Sequence, residues 1–239
     1  MRIAMWSGPR NLSTAMMYSF GNRFDCAVVD EPFYASYLAK TGLDHPMREE
    51  ILDSQPQDPV EVAAYLTRAK PADKPHFYQK HMTQHMIDGV PRDWMRGVTN
   101  VFLIRHPARV IASYAAKREN PTLEDIGFVQ QLELFELVQS WGQTPVVIDS
   151  HDVRDNPHAT LEGLCGAIGL PFSPEMLNWP KGGHKDDGIW AAHWYGAVWN
   201  SDGFAAPEGS LPELPDSLQP VLDRALPIYE QMQNSALKP

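Results

Sequence analysis

The sequence has few cysteines, no long apolar run, a shortage of positive charge, and no repeats or low-complexity tracts. Only Cys26 and Cys165 occur, far apart and each in an apolar stretch. Two such thiols read as buried and reduced, which excludes a disulfide framework as the basis of the fold. No apolar run approaches a membrane span, and no apolar signal segment follows a basic N-terminal stretch. The expectation is a cytoplasmic chain that engages no membrane. Lysine and arginine total 20 against 30 acidic residues, a net charge of −10. That balance argues against a broad nucleic-acid surface. Any anion site must therefore be built locally, from a few aimed donors.

What is present reads as one globular unit. Apolar residues are 43% and charged residues 21% of 239, enough for a sizeable core. Short, mostly non-alternating apolar runs at Arg2–Trp6, Cys26–Asp30, His76–Lys80, Asn100–Ile104 and Pro145–Ile148 suit strands covered on both faces. Helical patterns fall between and after them, at Thr14–Gly21, Pro59–Ala69, Pro107–Lys117 and Leu123–Trp141. Alternating strands and helices predict a three-layer α/β architecture around a mainly parallel sheet with right-handed crossovers. Residues 172–239 are rich in Pro, Gly and Trp and carry one late helical pattern, Pro215–Met232. They are expected to cap the carboxyl ends of the strands within a single 1–239 domain, and Thr41–Pro59 reads as a second cap element.

The first strand runs into Trp6-Ser-Gly-Pro-Arg-Asn-Leu-Ser-Thr14. A strand, a tight turn at Gly8 and Pro9 and a helix N-terminus make an anion cradle, because backbone N–H groups point outward there and the helix dipole favours negative charge. Arg10 adds a fork of donors suited to phosphate or sulfate. Ser13 and Thr14 add hydroxyls, and either one serves equally well as a plain helix cap. A Walker A loop needs lysine where Ser13 stands, which disfavours an ATPase or kinase. A second motif, Val101-Phe-Leu-Ile-Arg-His-Pro-Ala-Arg-Val-Ile-Ala-Ser113, places Arg105 at a strand end, where ligands of open α/β sheets bind. Pro107 opens the next helix, and Ser113 follows Arg105 by about two helical turns. Each residue alone also suits a strand-end salt bridge or a helix-surface hydroxyl.

Together the two motifs resemble the sulfotransferase superfamily, a branch of the P-loop fold whose members use 3′-phosphoadenylyl sulfate (PAPS) as sulfuryl donor. In that family a basic–Ser–Gly–Thr–Thr loop holds the 5′-phosphosulfate. Here Arg10, Asn11, Leu12, Ser13 and Thr14 occupy it, with Leu12 where the family has glycine. The family's 3′-phosphate site is an arginine at a strand end with a serine eight residues on, which Arg105 and Ser113 match. The resemblance implies sulfuryl transfer to a hydroxyl or amine of a small-molecule acceptor, release of the 3′,5′-bisphosphate product PAP, and no metal. It also implies a catalytic histidine after a lysine-bearing strand, and His81, next to Lys80, is the nearest match by position. His85 lies four residues on and shares the task as a candidate. Two ordinary histidines at a strand-to-helix junction fit the pattern equally, and no third ligand completes a metal motif there. Asp30 and Glu31 end the second strand, and Glu31 is placed to orient Lys80 or an acceptor amine. A late basic–Gly segment is matched weakly by Lys181-Gly182-Gly183, with Lys185 as its alternative. Trp190, Trp194, Tyr195 and Trp199 read as a satellite core or a lid wall. His184, Asp186, Asp187 and His193 group in sequence, as solvated loop residues more readily than as a cation site. A nucleotide-binding relative without transfer activity, a small-molecule kinase, and a nucleotide sensor acting through a partner remain the other readings. Homodimer formation stays open.

Overall fold

The computed structural model describes residues 1–68, 71–116 and 121–238. The chain runs β1 (Arg2–Ser7), α1 (Ser13–Gly21), β2 (Cys26–Asp30), α2 (Tyr34–Thr41), α3 (Arg48–Ser54), α4 (Pro59–Arg68), β3 (His76–Met82), β4 (Thr99–Ile104) and α5 (Pro107–Ala115). It continues with α6 (Phe128–Ser140), β5 (Val146–Asp149), α7 (Ser150–Asp155), α8 (Pro157–Ile168), α9 (Ala191–Trp194), α10 (Gly196–Trp199) and α11 (Gln219–Gln233). The expected helix ends at Ala69 and Lys117 lie outside the described residues. The five strands form one sheet in the order β2-β3-β1-β4-β5, every pairing parallel. This is the three-layer α/β fold that the strand–helix alternation predicts.

Period-2 alternation sorts the central strand between two cores. Ala4 and Trp6 of β1 join a cluster built with α4, α5, α6 and α11, while Ile3 and Met5 join one built with α1 and α8. A third, smaller cluster joins Tyr34, Ala35 and Leu38 of α2 to Ile51 of α3 and to Trp190, Ala191 and Tyr195. It sits beside the ends of β2 and β3. Because β1 is central, the chain goes first to the β3–β2 side and only later to the β4–β5 side. The strand ends around β1 are therefore the switch point where such sheets bind ligands.

Several boundaries differ from expectation. The helix predicted from Leu123 begins at Phe128, because Gly127 holds a left-handed φ of 68° just before it. β3 runs on to Met82, two residues past its expected end. The expected cap over residues 172–239 divides in two. Trp190, Tyr195 and Gly203 do reach the strand ends, but α11 packs on α5 and α6 beside the sheet. The Tyr229 hydroxyl donates to Asp149 at 2.6 Å, and Leu237 N–H donates to the Val147 carbonyl at 2.9 Å. The apolar residues Ala225, Tyr229 and Met232 decide this, since only a sheet-side core can bury them.

Candidate active site

At the carboxyl ends of the strands lies a cavity of about 680 Å³, a size suited to a small-molecule ligand. Its wall includes Arg10, Asn11, Leu12, Ser13 and Thr14 from the β1–α1 turn, Arg105 and Ser113 from β4 and α5, and Glu31, Lys80 and His85 from the ends of β2 and β3.

The turn is shaped by backbone that L-residues rarely adopt. Arg10 and Leu12 both hold left-handed φ values, 60° and 61°. Leucine thus takes the conformation for which glycine is the usual choice, at a steric cost of roughly 1–2 kcal/mol. Leu12 offsets part of that cost by packing on the α1–α8 core. Asn11 ties the turn to the sheet, donating from Nδ2 to the Leu103 carbonyl at 2.7 Å. The first turn of α1 carries no acidic residue and no side-chain cap, which leaves its first N–H groups without a side-chain competitor for an anion. Gly8 does not line the cavity. Its glycine is required because a Cβ there would sit 2.4 Å from the Ile126 carbonyl oxygen. Gly8 is thus a packing residue, not a ligand-binding one.

The two sequence motifs meet in space. Arg10 Nε donates to Ser113 Oγ at 2.9 Å, across 103 residues of chain, and Arg105 donates to the Arg10 carbonyl at 2.5 Å. Burial, and after it the Arg105 charge, lowers the Arg10 pKa from its ordinary value. Two close cations with hydroxyls beside them make a site that favours an anion. Next to it Arg105, Arg109 and Arg154 all pair with the carboxylate of Glu208, from a loop late in the chain. Burial works to raise the Glu208 pKa, but the Arg105 hydrogen bond and the three charges outweigh it and hold it below the usual carboxylate range. Arg109, Arg154 and Glu208 escape sequence reasoning. The single local clue is the spacing of Arg105 and Arg109, and nothing near Glu208 marks it.

On the β2–β3 side the polar groups are tied to one another. Lys80 Nζ donates to Asp30 at 2.8 Å, to Glu31 at 2.5 Å and to the Tyr195 hydroxyl at 2.6 Å. Those three bonds use all of its protons, so Lys80 positions its neighbours instead of offering a free cation. Burial works to lower its pKa, but the Asp30 and Glu31 charges keep it raised and protonated. Glu31 holds a left-handed φ of 39°, and burial pushes its carboxyl pKa up. The Tyr195 hydroxyl also meets Asp30, at 2.8 and 2.9 Å, and receives Trp190 Nε1–H at 3.1 Å.

The two candidate histidines differ in placement. His81 lies within β3 next to Lys80, so strand alternation turns it to the opposite face. It stacks on Trp6 at 4.4 Å, contacts Phe33 and Trp94, and does not line the cavity. Burial, then the Lys80 charge, pushes its pKa down to about 3. Its expected catalytic place is corrected: His81 is a neutral core residue. His85, in the short turn after β3, does line the cavity. It is 2% exposed and stacked between Tyr34 at 4.7 Å and Tyr37 at 4.8 Å. Its Nδ1 has no hydrogen-bond partner. Burial, with His45 and Lys80 behind it, drives its pKa well below the ordinary value, so the ring is held neutral and resists protonation.

Lys181 is corrected as well. It is 64% exposed, pairs with Asp202 at 3.5 Å and lies outside the cavity wall. Lys185, its alternative, pairs with Asp186 on the surface. Asp187 is structural: it accepts from Tyr18 at 2.6 Å and from Trp199 at 3.0 Å. Trp190 and Tyr195 serve as both satellite core and cavity wall. Among the described residues no three metal-ligating side chains converge, and no helix is long and apolar enough to cross a membrane.

These features define a three-layer parallel α/β fold with a cation-lined cavity at the carboxyl ends of its strands. Residues 1–236 match the family profile described as "Sulfotransferase domain", and the chain belongs to that family. Among solved structures it is similar to "Sulfotransferase Domain from the Curacin Biosynthetic Pathway", at TM-score 0.60 and 16% identity, covering 99% of this chain and 98% of that one. It is also similar to the sulfotransferase from Alicyclobacillus acidocaldarius, at TM-score 0.58 and 10% identity, covering 97% and 94%. At those identities the likeness is one of fold. Two Arabidopsis thaliana relatives carry the names "Branched-chain-amino-acid aminotransferase-like protein" 1 and 2. They are 36% and 33% identical over 227 residues, 95% of this chain and 40% of each relative. The chain thus spans less than half the length of those relatives.

Proposed function

We propose that this chain transfers a sulfuryl group from PAPS to a hydroxyl or amine of a small-molecule acceptor, releasing PAP. The observation that carries the proposal is the meeting of Arg10 with Arg105 and Ser113 on the wall of the cavity that Glu31, Lys80 and His85 also line. The donor fits the donor set. The N-terminus of α1 with Arg10, Ser13 and Thr14 suits a 5′-phosphosulfate, and the Arg105–Ser113 corner suits a 3′-phosphate. That corner already holds a carboxylate, which shows that its arginines converge on one anion.

When bound, PAPS supplies an electrophilic sulfur whose bond to the phosphate-side bridging oxygen breaks as the acceptor's bond to sulfur forms. Arg10 and the α1 N-terminus stabilise the charge left on that oxygen. His85 is the group on this wall placed to receive the acceptor proton, held between two tyrosine rings that fix its orientation and acting as a weak base while that proton is leaving. Lys80 positions Glu31 and Tyr195 along the acceptor wall. Tyr34, Trp190 and Trp194 give that wall its apolar surface.

Sulfur-35 transfer from labelled PAPS into a metabolite extract tests the proposal, with a labelled organic product expected. A thermal shift sharpens it, since binding to the native state alone raises stability by mass action. PAP should stabilise the chain far more than ATP, without added Mg²⁺. Equal stabilisation by ATP with Mg²⁺ would favour a small-molecule kinase instead.

A further inference from the structure

The loop Ala205–Gly209 is held almost wholly by charge. Its sequence, Ala-Ala-Pro-Glu-Gly, offers no large apolar side chain to bury. Four of its five residues are exposed, yet the Glu208 side chain is only 4% exposed, turned inward onto three arginines. Arg105, Arg109 and Arg154 all reach its carboxylate, the last at 2.8 Å. The same arginines hold the loop's backbone. Arg154 Nε donates to the Ala206 carbonyl at 2.8 Å, and Arg109 donates to the Gly209 carbonyl. Fixing a loop takes one ion pair. Three guanidiniums on one carboxylate leave an excess of two positive charges, which a phosphomonoester dianion with its extra oxygen meets better. Arg105 belongs to both sites: it lines the cavity and holds Glu208, and Ala205 lines the cavity beside it.

We infer that the Glu208 carboxylate is an internal stand-in for the nucleotide's 3′-phosphate, and that donor binding exchanges this strap for the phosphate on Arg105, Arg109 and Arg154. The inference rests on the donor reading above and adds three things to it. Arg109 and Arg154 become phosphate-binding residues. Glu208 becomes a competitor that sets how strongly a 3′-phosphorylated nucleotide is held. The strap becomes the element that moves, because a ligand confronting an occupied site binds more weakly by the fraction of time that site is open.

Calorimetric titration of the full chain tests this with adenosine 3′,5′-bisphosphate and adenosine 5′-monophosphate, for wild type and Glu208→Gln. The substitution keeps the side chain's size and removes its charge. Affinity for the bisphosphate should rise about 10-fold, the scale of one charge-assisted contact, with the monophosphate changed by less than about 2-fold. Hydrogen exchange on the wild type gives a second readout that needs no variant. The amides of residues 205, 206, 208 and 209 should exchange faster with the bisphosphate and not with the monophosphate. Unchanged or weaker bisphosphate binding in the variant, or a strap whose exchange does not quicken, would overturn the inference while leaving the donor reading intact. If neither form binds the bisphosphate, the donor reading fails and the inference falls with it.

Discussion

The two sides of the cavity differ in how their polar groups are held. Beside β1 and β4, cations outnumber anions: Arg105, Arg109 and Arg154 share the single carboxylate of Glu208, and Arg10 lies next to Arg105. Beside β2 and β3 the charges are closed on themselves, with Lys80 saturated by Asp30, Glu31 and Tyr195. An excess of cations invites an anionic ligand. A closed ion network rigidifies its surroundings and presents shape and aromatic surface. The contrast suggests that one side binds and the other side reacts, and four experiments bear on it.

The largest effect is expected at His85. His85→Ala should lower kcat by about 10²–10⁴-fold for a hydroxyl acceptor, the range for a lost acid–base group. Its PAP affinity should stay near that of wild type, because the ring acts on the acceptor's proton. Steady-state kinetics beside calorimetry checks both, and a matched loss of binding would erase the division between the two sides. Lys80→Met comes next. It leaves Asp30 and Glu31 buried without their cation, so denaturant unfolding should show a loss of about 3–5 kcal/mol. A change under about 1 kcal/mol would show that the network is not closed as described.

Arg105→Ala should weaken PAP binding by roughly 1.5–3 kcal/mol while sparing adenosine 5′-phosphosulfate, which lacks the 3′-phosphate. Equal losses for both nucleotides would assign Arg105 to the frame of the site. The smallest effect is one of pH. His81 has a folded pKa of about 3, below its unfolded value of about 6.5, so the unfolded chain takes up this proton first. Its contribution to stability is complete above the unfolded value and is lost as pH falls toward the folded one. The slope is about 1.4 kcal/mol per pH unit for this one group. His81→Phe should flatten the acid limb of the stability profile by that share and leave kcat near wild type. A large fall in kcat would return the catalytic role to His81.

Much of the binding side was legible in the chain because its motifs are local. Arg10 to Thr14 is one turn, and Arg105 to Ser113 is one strand end with its helix, so spacing alone places each group. Lys80 and Glu31 were also legible, as neighbours at the ends of adjacent strands. The different placement of His81 and His85 was not. Their order along the chain favours the residue next to Lys80. The extra length of β3 sends that side chain into the Trp6 face and leaves the later one in the cavity wall.

The sequence by itself determined the parallel sheet, the α/β layering and the two strand-to-helix turns that line the cavity. Apolar runs, helix periodicity and turn chemistry act over a few residues and survive without the rest of the molecule. Only the tertiary structure decided which way each strand-end side chain points, that α11 returns to the sheet, and that Glu208 meets three arginines, one of them 103 residues away. Those outcomes depend on where separate segments are forced together to bury apolar surface and to satisfy charge. No local pattern of residues encodes that meeting.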